Sequence, residues 1–278
     1  MPQPVPRYAV FGHPVAHSWS PRLHALFASQ TGIALDYQAI DAAPDEFAAA
    51  VRAFFAAGGR GANVTLPHKG AAFALADVCT GIARRLGVAN LLSVLPGGRI
   101  EAQSNDGAGM LADLQNRVGA DPAGCDVLLL GAGGAARAAA FALQDAGARS
   151  LVIANRTFER AQDLADALSG RRWASVCRWD ELGSRGGFDL IINATSTGMR
   201  HATLSLPSSL VDTRTVVYDL GYGTAARPFT DWAVQAGCAK AVDGLGMLIE
   251  TAAASFERWH GVRPDTGAAL EALRTPPP

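Results

Sequence analysis

Net charge is almost absent from this 278-residue chain: 24 Lys and Arg oppose 25 Asp and Glu, a formal charge of -1. A protein that reads nucleic acid or another polyanion carries a basic surplus, so that class of partner is not expected. No apolar run approaches the roughly 20 residues that a bilayer-spanning helix needs, which excludes a membrane protein of that kind. The first residues, MPQPVPRYAVFGHP, lack the basic-then-apolar order of a secretion signal. Cysteine is scarce too. Cys79, Cys125, Cys177 and Cys238 lie far apart with no C-x-x-C pair, so they are expected to be small buried hydrophobes in a reducing cytoplasm. The six histidines show no common metal-ligand spacing. His13, His17, His24, His68, His201 and His260 are therefore read as surface or supporting residues, and no metal site is expected.

What remains is an ordinary globular composition, 49% apolar and 18% charged, in a chain long enough for two domains sharing a cleft. Apolar runs alternate with helical patterns almost from end to end, the mark of an α/β protein with a parallel sheet. Tyr8 to Phe11 reads as a strand. Ser20 followed by Pro21 reads as an N-cap with proline at the first helical position, and Gly32 as the stop. Asp45 to Ala57 is predicted helical, Ala62 to Thr65 extended, and Pro67 is expected to open a helix. Leu91 to Leu95 and Arg99 to Gln103, either side of Pro-Gly-Gly, form a predicted hairpin. Asp106 to Val118 is helical in pattern. The alternation then restarts with strands at 126–130, 150–154, 190–193 and 216–219 and helices from Gly134 and Thr157, before a last apolar helical face from Leu245 to Trp259.

Gly131, Gly133 and Ala136 spell G-x-G-x-x-A directly after the strand at 126–130 and at the head of a helix. Glycine suits a sharp turn and a close approach of backbone to a pyrophosphate, and the helix start offers unpaired N–H groups and a positive dipole end. The backbone of Gly131, Ala132, Gly133, Gly134 and Ala135 is thus the candidate phosphate cradle. An NAD enzyme places Asp or Glu after the second strand to hold the ribose 2′-OH. This chain places Asn155-Arg156-Thr157 there, with Arg160 one turn on. A carboxylate repels a 2′-phosphate and a guanidinium pairs with it, so the expected nucleotide is NADP. Thr157 is expected to cap the helix that carries Arg160.

Transfer of hydride between a nicotinamide and an alcohol needs a group that moves the hydroxyl proton. Lys69, in NVTLPHK, follows a strand and falls in the first turn of a helix, where the dipole makes a poor site for a purely structural cation. Asp106 heads another helix, where an N-cap role would also explain it. If the fold brings the two together they can act as a proton-transfer pair.

Eight segments carry a resemblance that covers nearly the whole chain: YAVFGHPVAHSWSP, GGRGANVTLPHK, the Asp-Gly-x-Gly of NDGAGML, GAGGAARA, NRTFERA, INATSTGM, the Asp-x-x-Tyr of YDLGY, and DGLGML. In this order they resemble the shikimate dehydrogenase family. The resemblance implies a two-domain α/β fold: an α/β substrate domain of residues 1–106 and 243–278, and a Rossmann NADP-binding domain of residues 107–242. It implies reversible, NADP-dependent reduction of 3-dehydroshikimate to shikimate by a cytoplasmic monomer or homodimer, with a small-molecule substrate and neither a membrane nor a nucleic-acid partner. By position, Ser18 and Ser20 would bind the substrate carboxylate, Asn63, Thr65, Asn90 and Asp106 its ring hydroxyls, and Lys69 with Asp106 would be the catalytic pair. Tyr222 would stand on the substrate side, and Thr195, Ser196, Met199, Leu220 and the loop from Gly244 to Met247 would line the nicotinamide.

Departures from the family pattern gather around the substrate. Ser104-Asn105 stands where the family reads Asn-Thr, Leu91 where it reads Thr, and Thr251 where it places a substrate-binding glutamine. Either a water or a neighbour replaces the lost contacts, or the chain is a relative that turns over shikimate slowly and prefers quinate or a related cyclic acid. A non-catalytic NADP-binding sensor is the reading from another class. Such a sensor would have no need of both Lys69 and Asp106.

Overall fold

Burial on the first strand already shows which layers cover it. Ala9 and Phe11 face one core and Tyr8 and Val10 the other, all four buried, as a strand covered on both faces requires. The computed structural model describes residues 5–168, 173–195 and 204–274, and the chain divides into two units, Met1–Asn105 with Ile249–Pro278, and Asp106–Leu248. Among the described residues no helix is long and apolar enough to cross a membrane.

The first unit runs β1 (Arg7–Gly12), α1 (Ser20–Thr31), β2 (Asp36–Asp41), α2 (Phe47–Ala56), β3 (Gly59–Val64), α3 (Lys69–Leu75), β4 (Val78–Cys79), α4 (Gly81–Leu86), β5 (Leu91–Val94) and β6 (Ile100–Gln103). Its sheet has the order β2-β1-β3-β5-β6-β4. The hairpin β5–β6 pairs antiparallel, while β1 pairs parallel with both β2 and β3. Phe47 and Val51 of α2 and Ala72 of α3 pack on Phe11, Ala62 and Val64. On the opposite face Trp259 packs against Tyr8 and Tyr37, and Gly61 makes room for it, since a Cβ there would lie 2.3 Å from the indole nitrogen.

The second unit runs α5 (Asp106–Asp113), continued by a wider π turn over Leu114–Val118, then β7 (Asp126–Leu130), α6 (Gly134–Asp145), β8 (Ser150–Ala154), α7 (Phe158–Ala167), β9 (Ala174–Cys177), β10 (Leu190–Asn193), β11 (Val216–Asp219), α8 (Arg227–Gln235) and β12 (Lys240–Val242). Its six strands pair in parallel throughout, in the order β12-β11-β10-β7-β8-β9. This is a doubly wound sheet with β7 and β10 at its centre. Helix α9 (Leu245–His260) starts in this unit and ends in the first, where α10 (Thr266–Arg274) follows.

Some boundaries differ from those expected. Residues 243–248 and Asp106 fall with the second unit rather than the first. The Gly244 N–H bonds the Gly221 carbonyl at 2.8 Å, and α5 lies so close on α6 that a Cβ at Gly107 would sit 2.6 Å from the Ala138 oxygen. Ser20 is the first helical residue of α1 rather than its cap. Trp19 precedes it, and the Ser18 hydroxyl accepts the Ser20 N–H at 3.3 Å. Pro67 lies in a turn closed by His68 N–H to the Thr65 carbonyl, 3.0 Å, and the helix opens at Lys69.

Of the two readings open for the histidines, surface or supporting, His24 takes the second. It is fully buried, stacked on Tyr37 with ring centroids 4.0 Å apart and edge-on to Phe27 at 5.9 Å. Burial, with His260 nearby, pushes its pKa down to about 3. The native state therefore keeps His24 neutral while the unfolded chain protonates it below its ordinary value of 6.5. Its contribution is present above that pH and is lost as pH falls towards 3, at up to about 1.4 kcal/mol per pH unit. His24→Phe should flatten the fall in stability between pH 6.5 and 4. Urea unfolding at several pH values checks this, and parallel curves for variant and parent would show that His24 does not cause the acid lability.

Candidate active site

In the second unit the strand–turn–helix predicted from the glycine motif is present. Gly131 takes a φ of 109°, and a Cβ there would lie 2.9 Å from the Ala194 oxygen. The chain therefore turns tightly against the end of β10, with a backbone conformation open to glycine and little else. Gly133 precedes α6 in extended conformation, and a Cβ on it would meet nothing within 4 Å. The helix start thus faces open space, and its first N–H groups suit an anion.

One strand over, β8 ends at Ala154, and Asn155, Arg156 and Thr157 lead into α7. The Asn155 amide donates to the Thr157 carbonyl at 2.8 Å, and the same oxygen accepts the Arg160 N–H at 3.2 Å. Thr157 holds the N-cap position but makes no side-chain cap bond. Its backbone carbonyl orders the turn instead. Arg156 and Arg160 are exposed, and among the described residues neither has an ion-pair partner. Two unneutralised guanidiniums beside a helix start fit a dinucleotide with an additional phosphate.

A buried polar relay shapes the neighbouring strand ends. Asn193, the last residue of β10, donates to the Asp219 carboxylate at 2.8 Å and accepts both the N–H and the hydroxyl of Thr195, at 3.1 and 2.7 Å. The other Asp219 oxygen accepts the Gly221 N–H at 2.7 Å, which bends the chain sharply after Leu220. Burial pushes the Asp219 carboxyl up to about 7, against the two donors that favour its anion. The start of α9 is held by a second buried group. Asp113 pairs with Arg117 through two bonds and accepts the Tyr218 hydroxyl. Gly246 lies directly on that carboxylate, and the Met247 N–H reaches the Tyr218 oxygen. Leu220, Gly244 and Met247 thus take their positions from Asp219, Asp113 and Tyr218.

In the first unit the polar candidates gather at the end of β3. Tyr37 donates its hydroxyl to Asn63 at 2.8 Å, and the Ser20 side chain bonds the same hydroxyl. Burial raises the Tyr37 pKa well above its ordinary value, so it stays a donor. Thr65 N–H bonds the Phe11 carbonyl, and the Lys69 carbonyl accepts the Ala89 N–H at 2.9 Å. That bond holds the Lys69 turn beside Asn90, which is itself paired to Asn105 through its side chain. Asp106 follows Asn105 directly and is 6% exposed. Three family models match the chain: shikimate dehydrogenase substrate binding domain over residues 10–92, shikimate/quinate 5-dehydrogenase over 113–217, and shikimate 5′-dehydrogenase C-terminal domain over 244–274. The NADP(+) shikimate dehydrogenase of Stenotrophomonas maltophilia is 52% identical over 269 residues, 96% of this chain and 95% of that one. The chain belongs to the shikimate dehydrogenase family.

Solved structures agree with that family assignment. A Pseudomonas putida enzyme superposes with a TM-score of 0.89 at 40% identity, covering 98% of this chain and 99% of its own. The Thermus thermophilus shikimate 5-dehydrogenase, solved with NADP(H) and shikimate, gives 0.84 at 34% identity over 97% and 99%. Behind the candidates stand side chains to which the sequence assigned no supporting role: Tyr37, Asn105, Ser255, Asn193, Asp219 and the Asp113–Tyr218 pair. Asn193 and Asp219 stand inside INATSTGM and YDLGY, so a signal was present. Tyr37, Asp113 and Ser255 carry none, because what they do depends on partners far away in the chain. Ser196 and Met199 lie outside the described residues.

Proposed function

We propose that this chain catalyses the NADP-dependent, reversible reduction of 3-dehydroshikimate to shikimate. The observation that carries the proposal is the stitching of the Lys69 turn to Ala89, next to the Asn90–Asn105 pair that leads into Asp106. Lysine, carboxylate and amides of this kind suit a hydroxyl that must be gripped and relieved of a proton. Ser18 and Ser20, at the start of α1, bind the substrate carboxylate where unpaired helix N–H groups favour an anion. Asn63, Thr65, Asn90 and Asp106 hold ring hydroxyls, and Tyr222 closes the substrate side. When bound, NADP accepts or supplies the hydride. Gly131, Ala132, Gly133, Gly134 and Ala135 cradle its pyrophosphate, Asn155, Arg156, Thr157 and Arg160 its 2′-phosphate, and Thr195, Leu220, Gly244 and Met247 border its nicotinamide. Lys69 Nζ takes the hydroxyl proton in the oxidation and returns it to the carbonyl oxygen in the reduction, with the Asp106 carboxylate orienting the ammonium. The four cysteines are free thiols whose pKa values burial pushes up, consistent with work in the cytoplasm.

A panel of shikimate and quinate, each with NADP+ and NAD+, tests the activity through the absorbance of the reduced nicotinamide. Shikimate with NADP+ should give by far the highest kcat/KM. Tight nucleotide binding with no absorbance change on either acid would overturn the enzymatic reading. Thr251 is a specific point of tuning: it is 8% exposed and its hydroxyl is buried with no hydrogen-bond partner among the described residues. Thr251→Gln exchanges that unused hydroxyl for an amide with longer reach, and should raise kcat/KM for shikimate about tenfold. An unchanged value would mean that neighbouring groups already make the contact.

A further inference from the structure

An asparagine side chain donates from one end and accepts from the other, so a site that uses it must settle which end faces inward. For Asn63 and Asn90 this is settled by groups that can play only one part. The Asn105 backbone N–H, a donor only, meets Asn90 Oδ1 at 2.9 Å, which turns Asn90 Nδ2 towards Asn105 Oδ1 at 2.6 Å. Asn105 then points its own Nδ2 at the Thr251 carbonyl, an acceptor only, at 3.2 Å, and at Ser255 Oγ at 3.1 Å. Ser255 has a single proton and donates it to the Thr251 carbonyl at 3.0 Å. Its oxygen therefore accepts, from Asn105 and, at 2.8 Å, from Asn63 Nδ2. The remaining Asn63 N–H reaches the Asn90 carbonyl at 3.4 Å, while Asn63 Oδ1 accepts the Tyr37 hydroxyl. Ser255 is fully buried and Asn90 is 3% exposed, so bulk water does not rearrange these bonds.

We propose that Asn105 and Ser255 are positioning residues that fix the donor and acceptor sense of Asn63 and Asn90, so that Asn63 meets the substrate only as an acceptor and a ring hydroxyl must donate to it. The inference rests on the reading above that these two asparagines hold the ring hydroxyls. Asn105 and Ser255 act through the amides and need not touch the substrate. Two backbone groups, the Asn105 N–H and the Thr251 carbonyl, terminate the relay, and neither can reverse its polarity. A side-chain change can break the relay but cannot invert it. The selectivity that follows is chemical: an analogue whose ring hydroxyl is replaced by acceptor-only fluorine meets Asn63 acceptor to acceptor.

The test uses the full chain with shikimate and NADP+. Ser255→Ala and Asn105→Ala should each raise the KM for shikimate about five- to twentyfold while the KM for NADP+ stays within twofold. The double variant should be little worse than the worse single one, because a break at either place releases the same amides. The parent should also reject a fluorinated shikimate more strongly than Ser255→Ala does, since only in the variant is Asn63 Nδ2 released from Ser255. A lowered melting temperature with both KM values unmoved would leave Ser255 and Asn105 a packing role and overturn the proposal, as would fully multiplicative effects in the double variant. Should Asn105→Ala fail to fold, the two KM values and the analogue ratio of Ser255→Ala decide alone. A parent chain that does not turn over shikimate would remove the substrate reading itself, an outcome distinct from variants that turn over unchanged.

Discussion

Lys69→Ala should lower kcat for shikimate oxidation about a thousandfold, within the range for loss of a positioned proton-transfer group, while the KM for shikimate moves by only a few fold. The asymmetry follows from what surrounds the lysine. The Tyr37–Asn63, Asn63–Asn90 and Asn90–Asn105 bonds do not involve it, and its backbone bond to Ala89 survives the substitution. Substrate grip should therefore persist while the proton has nowhere to go. The loss falls on the transition state and not on uniform binding. Steady-state kinetics with a parallel titration of NADP+ binding separates the two. Turnover within tenfold of the parent would remove Lys69 from the proton step and leave Asp106 or solvent to carry it.

Arg156→Ala should raise the KM for NADP+ about thirtyfold and leave the KM for NAD+ within about twofold. A charge-assisted hydrogen bond to a phosphate contributes roughly 1.5 to 3 kcal/mol, which corresponds to about ten- to a hundredfold in affinity. The side chain is exposed and unpaired among the described residues, so its removal strands no partner and disturbs no core. The whole effect should therefore appear on the nucleotide that carries the 2′-phosphate. Added salt should weaken binding of NADP+ to the parent more than to the variant. Equal losses with both nucleotides would mean that Arg156 supports the turn after β8 and does not read the phosphate. Arg160, held by the Thr157 carbonyl in the first turn of α7, should show the same selectivity to a smaller degree.

The second unit was largely legible in advance because its strands are continuous apolar runs. Val127 to Leu130 and Leu190 to Ile192 are buried on both faces, and such runs announce themselves against flanking glycines and helical periodicity. Strand β2 was not legible. In Asp36–Asp41 only Tyr37 is buried, so an outer strand paired on one side carries too little apolar pattern to be seen. The short strands β4, β9 and β12 were missed for the same reason. His24 was legible only as surface or supporting: its polar ring does not announce the aromatic cluster of Phe27, Phe256 and Tyr37 that encloses it.

By itself the sequence determined the α/β class and the tight turn at Gly131, and it supplied the candidates Arg156 and Arg160 for a 2′-phosphate and Lys69 and Asp106 for proton transfer. Each of these is written in a few consecutive residues, where steric permission, helix polarity or the sign of a charge acts locally. Only the tertiary structure decided which residues hold the others in place: Ser255 against Asn63, 192 positions apart, Asn105 against Thr251, 146 apart, and Tyr218 against Asp113, 105 apart. Hydrogen bonding between distant side chains depends on where folding brings them, and neither the spacing nor the type of the residues records that position.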